Sequence, residues 1–567
     1  MAITTGLWAL ALGSAITVAE SRLPQTDFRS PLDLPMDLSG NFGQLRSTHF
    51  HAGLDIRTKQ VIGHKVYAVA DGYISRVRVN IYGYGKAVYI THPNGKTTVY
   101  AHLDQFSNNI AELVEADWQT NHKYELDLNL KSWQIPVKGG EIIGLSGNTG
   151  GSGGPHLHFE IRDTKTEDIL NPLTNGYKIA DTKKPIFTDL KFYSLETNGS
   201  VNGKMEEAMI PIAGSGSLYT AKIVEIPVSG KIGIGVNAYD PVDLNSFRMG
   251  LYKVRFYVND EIVYGYTLDR FSHEEGRRIP IHCDYEDRIA SNNAMEKLWV
   301  LPGNDSRQYE YGPGSGVIQV KEGETYRCKI LAEDANGNSS VLEFSVKGIT
   351  PPAVVSKNNH GKLFSFLNPS ADSLMDKSFK LKLLPDALFD DTQINGFEIN
   401  GLLAGELKAW QVGTDKMFLK KNAEITLDIS SIPAFLYKKI YAQNETKRWV
   451  QSKVEGNKMI LSYQRLGRFS IYADTVVPTI SPIDITTTNT LGKNYNNLLR
   501  FRVNDKETGV ATWEAYLNDK FLMLEYEYKE NMLFARKPAL QIGNNTIRIV
   551  VKDGVGNEVE YQTQFVL

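Results

Sequence analysis

A chain of 567 residues is too long for one hydrophobic core, and at roughly 100–200 residues per domain it implies about three to five domains. Its 62 Lys and Arg balance 65 Asp and Glu, leaving a formal charge of −3, so neither a nucleic-acid surface nor a polybasic membrane patch is encoded. Only Cys283 and Cys328 occur, with no C-x-x-C, which argues against a zinc ribbon or a dithiol redox motif and leaves a disulfide or two buried thiols open.

Leu7 to Ala19 is an apolar run of signal-peptide length, with small residues at Thr17 and Ala19. The first cation is Arg22, so a basic n-region is missing, and a buried N-terminal strand or helix is the competing reading. Residues 1–22 are expected to be a signal peptide. No later segment reaches the ~18–20 apolar residues of a membrane span, so an exported, soluble protein is expected.

Residues 23–180 read as the first domain. Val66–Val79 alternates apolar and polar residues around the Asp71-Gly72 turn, and Ala87–His92 and Thr97–His102 flank Pro93-Asn94-Gly95. Such alternation around D-G and N-G turns predicts antiparallel hairpins. Glu141–Ser146 is a further short strand. The connection from Leu103 to Val137, with a helix expected over 107–116, is either a functional rim or a surface insertion.

Histidine is concentrated early: eight of 11 lie before residue 160. The remainder reads as three β-sandwich-like modules, 181–348, 349–475 and 476–567. Ala180-Asp-Thr-Lys-Lys-Pro185 resembles Ala473-Asp-Thr-Val-Val-Pro478, and Asp334-Ala-Asn-Gly-Asn338 resembles Asp553-Gly-Val-Gly-Asn557. Short strands and frequent turns suggest immunoglobulin-like units at 181–348, with an insertion near 269–312, and at 476–567. The Asp and Asn residues of these turns could bind calcium, although turn chemistry alone explains them.

The chemistry lies between His51 and His158. H-A-G-L-D (51–55), Y-A-H-L (100–103) and H-L-H-F-E (156–160) supply two histidines and a carboxylate at metal-ligand spacing, plus two more histidines. If these segments are strands, His51 shares a face with Asp55, His156 with His158, and His102 with Tyr100. Three protein ligands and one open position make a catalytic zinc site, where bound water reaches a pKa of about 7. The loop from Gly147 to Gly154 lacks the Lys-Ser/Thr ending of a phosphate loop and leads into a strand. It is read as backbone freedom that delivers His156.

Taken together, F-H-A-G-L-D-I, G-Y-G-K-A-V-Y-I-T-H-P-N-G-K-T-T-V-Y-A-H-L and G-G-E-I-I-G-L-S-G-N-T-G-G-S-G-G-P-H-L-H-F-E resemble the LytM/lysostaphin-type zinc endopeptidases over residues 43–175. The resemblance implies a mainly β protein whose first domain is an antiparallel β peptidase with an open groove. It implies that His51, Asp55 and His158 hold Zn²⁺, and that His102 and His156 are catalytic histidines outside the ligand set. The implied substrate is peptidoglycan, cut in stem peptides or cross-bridges, in the bacterial periplasm or cell envelope. The modules could recruit other envelope proteins. One rival reading is a non-turnover scaffold that binds cell wall or activates a partner hydrolase; a second is an adhesion or surface-assembly protein that uses the peptidase domain as a wall anchor.

Overall fold

The computed structural model describes residues 28–196, 199–205, 207–291, 293–351, 361–492 and 497–567; the expected signal peptide lies outside them. Strand makes up 48% and helix 7%, so the protein is mainly β, with many antiparallel sheets.

The first domain is built on one large sheet. Its path runs β1 (Leu38–Gly40), β2 (Leu54–Arg57), β11 (His156–Asp163), β6 (Lys96–Ala101), β5 (Lys86–Thr91), β4 (Gly72–Val79) and β8 (Leu126–Asn129). At its margins β9 (Pro136–Val137) pairs with β4, and β12 (Ile169–Leu170) with β11. A second sheet holds β3 (Lys65–Tyr67), β10 (Ile142–Ser146) and β7 (Leu103–Phe106). The N-G hairpin forms as expected, with Thr91 opposite Thr97. The D-G hairpin does not: β3 and β4 lie in different sheets, and the Asp71 carboxylate instead accepts from Gly139 N and Lys138 Nζ. A turn signal fixes a change of direction, but not the partner the chain meets afterwards.

Strand β11 shows how period two serves two purposes. Leu157, Phe159 and Ile161 enter the main core, while His156, His158, Glu160 and Arg162 face away from it. Helix α1 (Asn108–Asn121) extends past the expected 107–116, and its Ile110, Val114 and Trp118 pack into the same core. No residue of this long connection lines the cavity that holds His51 and His158. The connection carries His122 onto the Phe521 ring, stacked at 3.8 Å, and Tyr124 against Trp513.

That contact belongs to a larger closure of the chain. Residues 479–566 form two four-stranded sheets whose apolar residues join the first domain's core. Residues 186–348 form a six-stranded and a nine-stranded sheet around one core, which also receives Phe42, Phe50 and Ile169 of the first domain. Residues 362–473 contribute two five-stranded sheets, a two-stranded pair and a separate core. Cys283 and Cys328 are both buried free thiols, and burial pushes the Cys283 thiol up to about 11. Among the described residues no helix is long and apolar enough to cross a membrane.

Candidate metal centre

The register between β2 and β11 places Asp55 directly opposite His158. Cross-strand neighbours on one face have Cβ atoms about 4.5–5.5 Å apart, so this pair is brought together by backbone pairing alone. His51 is not on a strand. It lies in the loop before β2, so the spacing argument for His51 and Asp55 sharing a strand face fails. The loop instead comes close because Gly53 has no side chain: a Cβ there would sit 2.2 Å from the Phe159 carbonyl oxygen.

His102 also departs from the expected alternation. Its φ of 59° is left-handed, and this kink separates β6 from β7. Tyr100 therefore packs in the core, with its hydroxyl accepting from Val69 N, while His102 faces His156 across 4.8 Å between ring centroids. A non-glycine residue in this region costs about 1–3 kcal/mol and persists only where its surroundings hold it. Here the Thr149 carbonyl accepts from His102 Nδ1 at 2.8 Å. Thr149 can reach that position because Gly150, at φ 70°, packs on Gly83 and Gly85, where a Cβ would meet the Gly85 nitrogen at 2.3 Å. The glycine loop thus orients His102 as well as delivering His156.

Each of the four imidazoles has one ring nitrogen facing an acceptor. His51 Nδ1 donates to the Asn41 carbonyl at 2.7 Å, His156 Nδ1 to the Gly154 carbonyl at 2.8 Å, and His158 Nε2 to Glu160 Oε1 at 2.9 Å. Such partners select the tautomer and leave the other nitrogen with a lone pair. Three of those nitrogens converge on Asp55 Oδ1: His158 Nδ1 at 2.9 Å, His51 Nε2 at 3.0 Å and His156 Nε2 at 3.3 Å. The second Asp55 oxygen accepts from Arg46 at 2.6 Å.

The electrostatics report the same convergence. Burial lowers the His51 pKa. Burial also opposes charge on His158, but the Asp55 and Glu160 carboxylates overcome it and push its pKa up to about 9. Burial opposes ionisation of Asp55, yet His51, His156 and His158 hold it well below the ordinary value. Lone pairs facing a carboxylate need a cation or a proton among them. Ligand atoms from His51, Asp55 and His158 lie within 4.8 Å of one another, and this two-imidazole, one-carboxylate donor set fits a divalent metal. His102 is different: burial, then His156 and His158, lower its pKa to about 3, so it stays neutral at physiological pH.

All five residues singled out in the sequence therefore meet in one cavity of about 1000 Å³. Several contributors were not singled out. Glu160 is fully buried, bonded to His158 and paired with Arg162 at 2.6 Å, and it accepts from the Tyr84 hydroxyl. Its position two residues after His158 was the available signal, since period two puts both on one face. Far less legible were the walls, where the groove is bordered by His273 and Arg277 of the 269–312 insertion and by Phe418, Arg448 and Arg465. Within the insertion, Arg270–Phe271 pairs with β12 and extends the first domain's sheet. Helix α2 (His273–Gly276), held by a Ser272–Glu275 capping box, follows directly.

Glu160→Gln tests the outer partner of His158. It is expected to weaken metal retention about 10–100-fold, the usual cost of losing such a partner. Competition against a chromogenic chelator measures this, and unchanged affinity would show that Glu160 serves Arg162 alone.

Residues 49–119 match the family model described as Peptidase family M23, a stretch that contains His51, Asp55 and His102. The DD-carboxypeptidase/endopeptidase Mpg of Neisseria meningitidis serogroup B is 39% identical over 118 residues, covering 21% of this chain and 21% of the relative. The peptidoglycan DD-endopeptidase ShyA of Vibrio cholerae is 32% identical over 139 residues, covering 24% of this chain and 26% of ShyA. The chain thus spans about a fifth to a quarter of the length of these curated relatives. Among solved structures, the catalytic domain of lysostaphin from Staphylococcus simulans is 24% identical, covering 24% of this chain and 86% of that domain, with a TM-score of 0.18. Residues 49–119, which carry His51, Asp55 and His102, are thus similar to peptidase family M23, in keeping with the resemblance read from the motifs.

Proposed function

We propose that this protein is an exported, zinc-dependent endopeptidase that hydrolyses peptide bonds in peptidoglycan stem peptides or cross-bridges. The carrying observation is the convergence of three metal-capable side chains with two further imidazoles in one groove. In this reading His51, Asp55 and His158 hold the zinc, while His102 and His156 act on water and substrate. A bound zinc ion would polarise the scissile carbonyl and lower the pKa of water. His102 has its Nδ1 committed to the Thr149 carbonyl, so Nε2 is the ring nitrogen left to hold or accept a proton in the groove. His156, with Nδ1 on the Gly154 carbonyl, presents Nε2 beside Asp55 and orients the same region. Arg277, Arg448 and Arg465 on the walls suit a substrate that bears free carboxylates, as stem peptides do.

The groove walls favour one further reading. Because later segments border the site, a scaffold whose groove binds wall without turnover, and which activates a partner hydrolase, has a structural basis as well. Digestion of purified peptidoglycan separates the two. The full chain is expected to release peptides, with a chelator reducing release to background and added zinc restoring it. Chelator-insensitive or absent release, with stimulation of a second hydrolase, would overturn the enzyme reading.

A further inference from the structure

A second set of metal-capable residues lies where the first domain joins the next. Asp181 sits in the linker that leads from the first domain to strand β13 (Ile186–Ser194). Asp240 is near the end of the strand Lys231–Pro241, and Asp334 opens the turn after the strand Thr325–Glu333. One carboxylate oxygen from each lies within 4.8 Å of the others.

Asp334 is well served: Oδ1 accepts from Asn336 N and Asn338 N, and Oδ2 from Asn338 Nδ2. Asp240 is not. It is only 4% exposed, and its Oδ1 is buried with no hydrogen-bond partner among the described residues. Burying a charge without a partner is strongly unfavourable, and like charges at this distance add to the cost. Lys183 lies close by, but its ammonium donates to the Val242 carbonyl at 2.7 Å.

The chain contains its own comparison. Asp474, Asp505 and Asp553 form a matching triad at the entrance to the last module. The wiring repeats: Asn557 Nδ2 donates to Asp553 Oδ2 and to the Asp474 carbonyl, as Asn338 Nδ2 donates to Asp334 Oδ2 and to the Asp181 carbonyl. In this second triad, however, the counterpart of Asp240 is served by the protein. Asp505 Oδ1 accepts from Thr508 N and Gly509 N, and Asp474 Oδ2 accepts from the Thr508 hydroxyl at 2.6 Å. The first triad lacks these donors, and its unmatched oxygen points to an ion.

We propose that Asp181, Asp240 and Asp334 form a calcium-type cation site that ties the linker to the following module. All donors are oxygens, which selects a hard cation over zinc, and the remaining coordination positions fall to water. Three carboxylates with an incomplete protein shell suit the weak class of sites in extracellular modules, with Kd about 10⁻⁴–10⁻³ M. Because the linker is one of its ligands, the ion fixes how the second module approaches the first domain. That module carries Arg270–Phe271 and α2 to the groove. The proposal is independent of what the histidine cluster does.

The test uses the full chain with its native metal content, titrated with Ca²⁺ and Mg²⁺ and followed by calorimetry and thermal unfolding. Wild type is expected to bind Ca²⁺ at millimolar concentration and to unfold several degrees higher. Asp240→Asn is isosteric and removes the unpartnered charge. Without calcium it should unfold no lower than wild type, yet it should bind one equivalent fewer and lose the Ca²⁺-dependent rise that this site provides. Asp181→Asn lies in the linker, outside both cores, and should lose the same equivalent, so the proposal stays testable if the Asp240 variant fails to fold. Absence of calcium binding by wild type, or undiminished binding by both variants, would overturn it.

Discussion

Replacing His158 with alanine is expected to remove the metal and the peptidase activity together, whereas His102→Ala should remove activity and leave the metal in place. The two side chains are in the same cavity, 5.8 Å apart between ring centroids, so proximity does not distinguish them. Their free nitrogens do. His158 directs Nδ1 at Asp55 Oδ1 and has Glu160 behind it, which in the proposed reading makes it a metal ligand. His102 makes no hydrogen bond to Asp55 and is held by a backbone carbonyl. Losing a ligand must exceed the 10–100-fold effect of losing a ligand's outer partner, so metal content for His158→Ala should fall to background. Loss of a positioned base costs about 10²–10⁴-fold in rate, which is the range expected for His102→Ala. Metal analysis alongside a peptide-release assay reads both. Stoichiometric zinc in His158→Ala would show that the ligand set is wrong.

The second large effect lies far from His158 in sequence. Glu525→Ala should destabilise the protein by about 3–5 kcal/mol, because it strands a buried charge. Lys86, at the start of β5, is 4% exposed; its ammonium meets Glu525 Oε2 at 2.6 Å and the Asp104 carbonyl at 2.9 Å. Arg536 of the last module adds a 2.7 Å ion pair to Asp104. Removing Glu525 leaves Lys86 desolvated without its counter-charge, whereas replacing both partners with apolar residues of similar volume should recover most of the loss. Chemical denaturation of the single and double variants measures this. A loss under about 1 kcal/mol, the value of an exposed pair, would mean that water reaches Lys86. Activity should fall in Glu525→Ala too, since Lys529 of the same module donates to the Asn148 and Gly150 carbonyls at 2.6 and 2.9 Å and so braces the loop that holds His102.

The sequence was legible where local rules act without competition. The N-G hairpin, the helix after Ser107 and the two faces of β11 follow from period and turn chemistry, because each involves neighbours in the chain. The motif spacing also identified the five residues that meet in the groove. For two of them, however, strand periodicity is not what brings them there. His51 reaches the site from a loop admitted by Gly53, and His102 turns inward through a left-handed kink, neither of which strand periodicity describes. The D-G turn misled for a similar reason, since two strands joined by a turn need not pair.

By itself, the sequence determined the strand-rich character of the chain, the motif segments and the chemical identity of the donors gathered between His51 and His158. Only the tertiary structure decided what surrounds them. The β2–β11 register set Asp55 against His158, and the 269–312 insertion and the 362–473 segment became walls of the groove. The last module returned to brace the first domain through Lys86, Asp104 and the glycine loop. The same distinction applies to the two aspartate triads, which share a sequence pattern but differ in whether protein donors reach the third carboxylate. Such contacts join residues up to several hundred positions apart. Their cost in chain entropy is met by burial of whole faces, which no local pattern records.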